Sequence, residues 1–230
     1  MTEHHPDSAA ARAPAHAHDY LPAAGLHALL PGYDMLTRLL GMWRNYDTLV
    51  AQADLSDGLR VLEIGCGTGN VTLHAKRLHP ETELVGLDPD PKALVRAERK
   101  AAGLSAIRFE RGYAQSLPFG DGEFDRVLSS MMLHHLDDAT KAATAAEAFR
   151  VLRPGGRLHV LDIGGHMTAA DGIAARRMLR SAHAVGNLGD AIPRLLRDAG
   201  FDCSEVATQR HRLIGRLTFY RATRPDTSSA

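Results

Sequence analysis

Between Gly58 and Ile163, short apolar runs alternate with stretches of helical periodicity, and this alternation restricts the fold more than any other feature of the chain. Arg60–Ile64, Glu83–Leu87, Ala106–Glu110, Arg126–Ser130 and Arg157–Ile163 read as strands. Asn70–Leu78 reads as a helix ended by Pro80. A second helix opens at Asp90-Pro91, with Asp as N-cap and Pro at the first helical position, and runs to Ala102 before Gly103. A third, Asp138 to Leu152, is stopped by Pro154-Gly155-Gly156. Units repeated in this way build a parallel sheet with helices on both faces. The rhythm then breaks. After a helix near Ala191–Ala199, the strand-like runs Cys203–Gln209 and Arg216–Thr223 flank a short loop containing Gly215, which predicts an antiparallel hairpin at the sheet edge. The expected fold is therefore α/β: a seven-stranded, mostly parallel sheet covered by helices and completed by an antiparallel C-terminal hairpin strand.

The 230 residues suffice for one domain with a full core, at 44% hydrophobic and 23% charged residues. Residues 1–18, rich in Ala, His, Pro and Asp without apolar periodicity, read as a disordered tail, and 225–230 as a second tail. His4, His5, His16 and His18 fall in the first tail, where nothing fixes a metal geometry, so no metal site is expected. Residues 19–57 carry apolar side chains at helical spacing (Leu26, Leu29, Leu30, Met35, Leu36, Leu39, Leu40, Trp43, Tyr46, Leu49, Val50). They predict two or three short helices that cap the main domain at 58–224 or close over a site. Cys66 and Cys203 form neither a disulfide framework nor a metal-ligand pattern. No apolar run approaches the length of a membrane span and no secretory pattern opens the chain, so the cytoplasm is the default location. A formal net charge of zero argues against a nucleic-acid partner held through phosphates. The C-terminal part nevertheless leans basic, with Arg176, Arg177, Arg180, Arg194, Arg197, Arg210, Arg212 and Arg216. These are solvated faces, or else a preference for an anionic acceptor or surface.

The first strand ends in Glu63-Ile64-Gly65-Cys66-Gly67-Thr68-Gly69, which opens the first helix of the alternation. Glycines there let the backbone turn sharply and come close to a ligand. A dinucleotide fingerprint needs a glycine where Asn70 stands, and the spacing is G-x-G-x-G instead. Glu63, two residues before the first glycine, would repel a pyrophosphate but suits a cation. Asp88, ending the second strand, can accept hydrogen bonds from ribose hydroxyls. Together they point to S-adenosylmethionine, which carries an ammonium, a sulfonium and an adenosine.

At this point the chain resembles the class I S-adenosylmethionine-dependent methyltransferases, on the branch similar to the ubiquinone/menaquinone-biosynthesis C-methyltransferases. The resemblance runs from about Tyr33 to Thr223 through VLEIGCGTG (61–69), LVGLDPD (84–90), QSLPFGDGEFDRV (115–127), SMMLHHL (130–136) and RVLRPGGRLHVLD (150–162). It implies a Rossmann-like fold. It also implies that Glu63 and the backbone of Gly65, Cys66, Gly67 and Gly69 hold the methionine end, Asp88 the ribose, and Pro89, Tyr113 and Ala114 the adenine, with Ser130 and Met131 along the wall. Many relatives carry Asp where Tyr113 stands, so Tyr113 either stacks on the ring or is a half-buried loop aromatic. Tyr33, in a Tyr-Asp pair, would close the N-terminal segment over the cofactor or simply pack.

Methyl transfer is an in-line displacement, so the protein mainly aligns the acceptor and excludes water, with a base only where the nucleophile must lose a proton. His134 and His135 run off the C-terminal edge of the fourth strand, and Asp162 ends the fifth, close enough to orient one imidazole. Adjacent residues point different ways, so at most one histidine faces the pocket. The expected reaction is methylation of C, O or N on a small organic acceptor, without nucleic acid; the oligomeric state stays open. Three other readings stand beside it: a non-catalytic S-adenosylmethionine-binding accessory protein, a nicotinamide oxidoreductase, and a nucleic-acid methyltransferase. Glu63 opposes the second, and the lack of a basic, aromatic-studded stripe opposes the third.

Overall fold

A computed structural model of the chain describes residues 41–181, 185–211 and 213–226. The expected first tail, most of the N-terminal cap and Tyr33 lie outside the described residues. The strands are β1 (Arg60–Ile64), β2 (Glu83–Asp88), β3 (Ile107–Arg111), β4 (Phe124–Ser130), β5 (Leu152–Ile163), β6 (Asp202–His211) and β7 (Gly215–Thr223). The helices that matter here are α1 (Met42–Ala53), α2 (Asn70–Leu78), α3 (Pro91–Ala101), α4 (Asp138–Val151), α5 (Ile173–Met178) and α6 (Ala191–Asp198).

The seven strands form one sheet in the order β3-β2-β1-β4-β5-β7-β6. The first five are parallel, and β7 runs antiparallel to both β5 and β6. The α/β architecture read from the sequence is present. Both faces of the sheet are buried, and the alternation of side chains sorts the core into two clusters. Val61, Leu84, Leu128, Leu161 and Phe219 meet α1, α2 and α5 on one face. Leu62, Val85, Val127, Val160 and Tyr220 meet α4 and α6 on the other.

Local signals set the helix ends. Asp90 accepts from the Lys92 N–H at 2.9 Å, and Pro91 follows it. Asp137 caps α4 by accepting from the Thr140 N–H at 2.7 Å. One boundary differs from expectation: β5 begins at Leu152, not Arg157. Gly155 takes φ 72°, so the chain kinks through Pro154-Gly155-Gly156 without leaving the sheet, and Leu152 still pairs with Phe124. Arg224, just beyond β7, holds that kink: its Nη1 donates to the carbonyls of Phe149, Arg150 and Leu152 at 2.9, 3.1 and 2.6 Å. Within the cap region, α1 buries Met42, Tyr46, Leu49, Val50 and Ala53 against the sheet.

Candidate active site

β1 and β2 end side by side, and the chain leaves β1 through a loop that bends back over the end of β2. The N–H groups of Gly65 and Cys66 both donate to the Leu87 carbonyl, at 2.8 and 3.0 Å. Gly65, Gly67 and Gly69 hold φ of 75°, 52° and 75°, a region costly for any residue with a Cβ. Space forbids side chains as well: a Cβ on Gly65 would stand 2.5 Å from Met132 Cγ, and one on Gly69 2.9 Å from Ala97 Cβ.

Two buried carboxyl groups secure this loop from below. Asp88 accepts from the Gly67 N–H at 2.7 Å and, with its other oxygen, from the Asp90 N–H at 2.9 Å. Burial raises its pKa, against the pull of those two donors. Glu63 accepts from the Thr72 N–H at 2.7 Å and from the Thr72 hydroxyl, which ties the end of β1 to α2. Burial pushes the Glu63 carboxyl up to about 8 despite both bonds. Near neutrality it holds its proton until a cation arrives to favour the charged form. Lys100 of α3 donates to Asn70 Oδ1 at 2.8 Å, fixing the start of α2 from the other side. The Cys66 thiol, pushed up by burial and by Glu63, is a packed spacer rather than a nucleophile.

Above the loop opens a cavity of about 420 Å³, within the range of small-molecule sites. It lies at the C-terminal edge of the parallel strands, where open α/β sheets bind ligands. Of the residues singled out in the sequence, Glu63, Gly65, Cys66, Gly67, Asp88 and Pro89 line it, as do Tyr113, Ala114, Ser130, Met131 and His135. Gly69, His134 and Asp162 do not. Gly69 packs against Ala97 and Phe109 and serves as the N-cap residue of α2.

The two histidines part ways here. Met131 takes a left-handed φ of 56°, uncommon for a side chain of this size, and its N–H donates to Leu161 O at 2.8 Å. The chain then passes Met132 over Gly65 and enters a short 3₁₀ turn, Leu133–His135. That turn sends His135 to the cavity wall and His134 inward. His134 Nδ1 lies 2.6 Å from Asp162 Oδ1. Asp162 is fully buried and also accepts from the N–H groups of Leu133 and Ile163, at 2.8 and 2.7 Å. Burial works against a charged His134, but the Asp162 charge and hydrogen bond outweigh it, so its pKa is raised. The two rings stand 4.0 Å apart, tilted by 41°. The expected His–Asp pairing is present, on the histidine that does not line the cavity.

A model of the methyltransferase domain matches residues 61–156. The demethylmenaquinone methyltransferase of Thermus thermophilus is 37% identical over 155 residues, covering 64% of this chain and 68% of that protein. The chain belongs to the class I S-adenosylmethionine-dependent methyltransferases, on their ubiquinone/menaquinone branch. The demethylmenaquinone methyltransferase of Deinococcus radiodurans is likewise 37% identical over 141 residues, 59% of this chain and 57% of that protein. The aligned stretch thus spans between about half and two thirds of these curated relatives. Among solved structures, the YcgJ protein of Bacillus subtilis superposes with a TM-score of 0.65 at 18% identity, over 80% of this chain and 99% of that one, a likeness of fold.

The cofactor of this methyltransferase is S-adenosylmethionine, and the cavity fits it. A buried carboxyl awaits a cation at the glycine loop, and the cradle over Gly65 admits no side chain. Ser130 Oγ is buried without a hydrogen-bond partner among the described residues. Met132, read from the sequence as a core or pocket-wall side chain, lines the cavity as well, and further lining residues escaped that reading: Tyr46 from α1, Thr68, Asn70 and Val71 from the loop and α2, and Asp137 and Thr140 ahead of and within α4. Asp137 and Thr140 look like a helix cap, which they are, and Tyr46 follows the same spacing as the core of α1. Neither pattern separates a wall residue from a structural one. No group of three His, Cys, Asp or Glu residues able to hold a metal occurs among the described residues. No helix among them is long and apolar enough to cross a membrane.

Proposed function

We propose that this chain transfers the methyl group of S-adenosylmethionine to a small, ring-bearing organic acceptor, of the demethylated quinone kind named in its relatives. The observation that carries the proposal is the exposed imidazole of His135 in the wall of the same cavity that Glu63, Gly65 and Gly67 line. Bound there, the cofactor supplies a sulfonium-activated methyl group, so the chain need only align and deprotonate the acceptor. Glu63 would hold the donor's ammonium and Asp88 its ribose, with Pro89, Tyr113 and Ala114 at the adenine. His135 would accept the acceptor's proton at a ring nitrogen. His134, locked on Asp162 with its ring 4.0 Å from that of His135, would position the His135 ring without touching the acceptor. Residues 164–181 and Tyr46 of α1 would complete the acceptor pocket.

Titration calorimetry with S-adenosylmethionine, followed by a mass-spectrometric screen over quinols, phenols and amines, tests this reading. Binding and turnover on a quinol or phenol are expected, with His135→Ala cutting turnover about 10²-fold or more while cofactor affinity holds. Binding without turnover across the panel would replace the enzyme with an accessory protein. Tight NADH binding in place of S-adenosylmethionine would overturn the reading altogether.

A further inference from the structure

The two most exposed large apolar side chains among the described residues are Ile173, at 86%, and Leu213, at 62%. They stand on adjoining segments. Ile173 opens α5, and Leu213 lies between β6 and β7. Asp171 clasps the two segments together: its Oδ1 accepts from Arg216 Nη2 at 3.0 Å and lies 3.2 Å from Arg210 Nε. A Cβ on Gly215 would stand 3.0 Å from Ala175 Cα, so α5 packs directly on the hairpin. Arg176, Arg177, Arg180 and Arg210 are exposed around this clasp. The sole acid in residues 169–181 and 210–216 is Asp171, whose side chain is buried and already paired. β7 starts beside the end of β5, with Leu217 opposite Ile163, so this face shares the sheet edge that carries the cavity.

We infer that this arginine-rimmed apolar face docks on an anionic phospholipid bilayer. Aliphatic side chains this exposed gain by entering the interfacial layer, while arginine stems lie along it and keep their guanidinium groups at the phosphates. Nucleic acid would engage the arginines but leave Ile173 and Leu213 in water. A second copy of the chain would bring like charges face to face.

Co-sedimentation of the full chain with phosphatidylcholine vesicles, with and without phosphatidylglycerol, tests the inference. Partitioning onto the anionic vesicles is expected, weakening as salt rises. Each arginine near such a surface contributes about fivefold, so Arg176→Glu with Arg177→Glu should weaken partitioning more than tenfold. Ile173→Ser with Leu213→Ser should remove the part that survives high salt. Thermal midpoint and S-adenosylmethionine titration establish that each variant is folded. Arg177→Gln and Arg180→Gln serve as milder replacements should the charge reversals unfold the chain. No binding to anionic vesicles, or binding that both double variants retain, overturns the inference. So does a concentration-dependent dimer that the same variants abolish, since the face would then belong to a second copy.

Discussion

The two ends of the cavity, to which the proposal assigns donor and acceptor, are held by different means. At the donor end, Asp88 spends both carboxylate oxygens on the backbone, through the N–H groups of Gly67 and Asp90, while Glu63 takes the N–H and hydroxyl of Thr72. These bonds fix the shape of a loop against which the proposed donor would lie, with Glu63 and Asp88 themselves in the cavity wall. At the acceptor end, Asp162 takes two N–H groups but also the His134 ring, and the neighbouring His135 meets the cavity. A ligand seated on so tightly tied a loop needs the loop's shape and tolerates little change in it. A ligand approached by side chains can be exchanged by altering a few residues while the frame stays. The comparison explains how one methyl donor can be kept while acceptors diverge.

The largest expected effect breaks the acceptor end. Asp162→Ala leaves His134 and two N–H groups without their buried acceptor, so thermal or denaturant unfolding should register a loss of about 3–5 kcal/mol. Loss of less than 1 kcal/mol would mean that Asp162 is not the anchor of that wall. His134 adds a pH signature. With its pKa raised, its contribution is fully present below the ordinary histidine value of about 6.5 and is lost as pH climbs through the folded value. His134→Ala should flatten that part of the stability profile.

At the donor end, the pH dependence runs through Glu63. Its folded pKa of about 8 lies above the unfolded 4.5, so the folded state keeps a proton that the unfolded state has lost. In the cofactor-free protein, Glu63's contribution to stability should therefore fall as pH rises from about 4.5 to about 8. A cation that prefers the ionised form should bind more tightly over the same climb, by up to about tenfold per pH unit. Calorimetry across pH 6 to 8 should show this slope and its disappearance in Glu63→Gln; the same slope in both would break the assignment. A smaller loss follows Gly65→Ala. The positive φ and the approach of Met132 together should cost about 1–3 kcal/mol, read as weaker cofactor binding and a lower midpoint. Thr72→Val, which keeps the N–H bond to Glu63 and removes the hydroxyl, should cost only about 1 kcal/mol.

The same contrast marks what could be read from the chain before its structure. Strands β1, β2 and β4 and helices α2 and α3 were legible within a residue or two, because burial on both faces and the Asp90-Pro91 cap leave local signatures. Glu63, Gly65, Gly67 and Asp88 were legible as lining of one cavity, because a glycine turn between two acidic strand ends is a local pattern. The acceptor end was not. Strand alternation says that neighbours diverge, but a 3₁₀ turn decides which of His134 and His135 turns inward, and that turn depends on the left-handed Met131. The start of β5 was missed because Pro-Gly-Gly usually ends pairing, and here a bond network from Arg224, far along the chain, keeps it paired. Tyr46 was hidden because a cavity wall and a core share one periodicity.

The order of the strands also bears on how the molecule is made. β7 is the last strand among the described residues, yet it lies inside the sheet, between β5 and β6. On a ribosome, β5 emerges with one edge unpaired and must wait through the synthesis of α5, α6 and β6 before its neighbour exists. An open edge of Leu158, Val160 and Leu161 is a template for pairing with another nascent chain. Arg224, which ties the end of β7 to the carbonyls closing α4, then acts as a late latch on a sheet whose centre was complete long before.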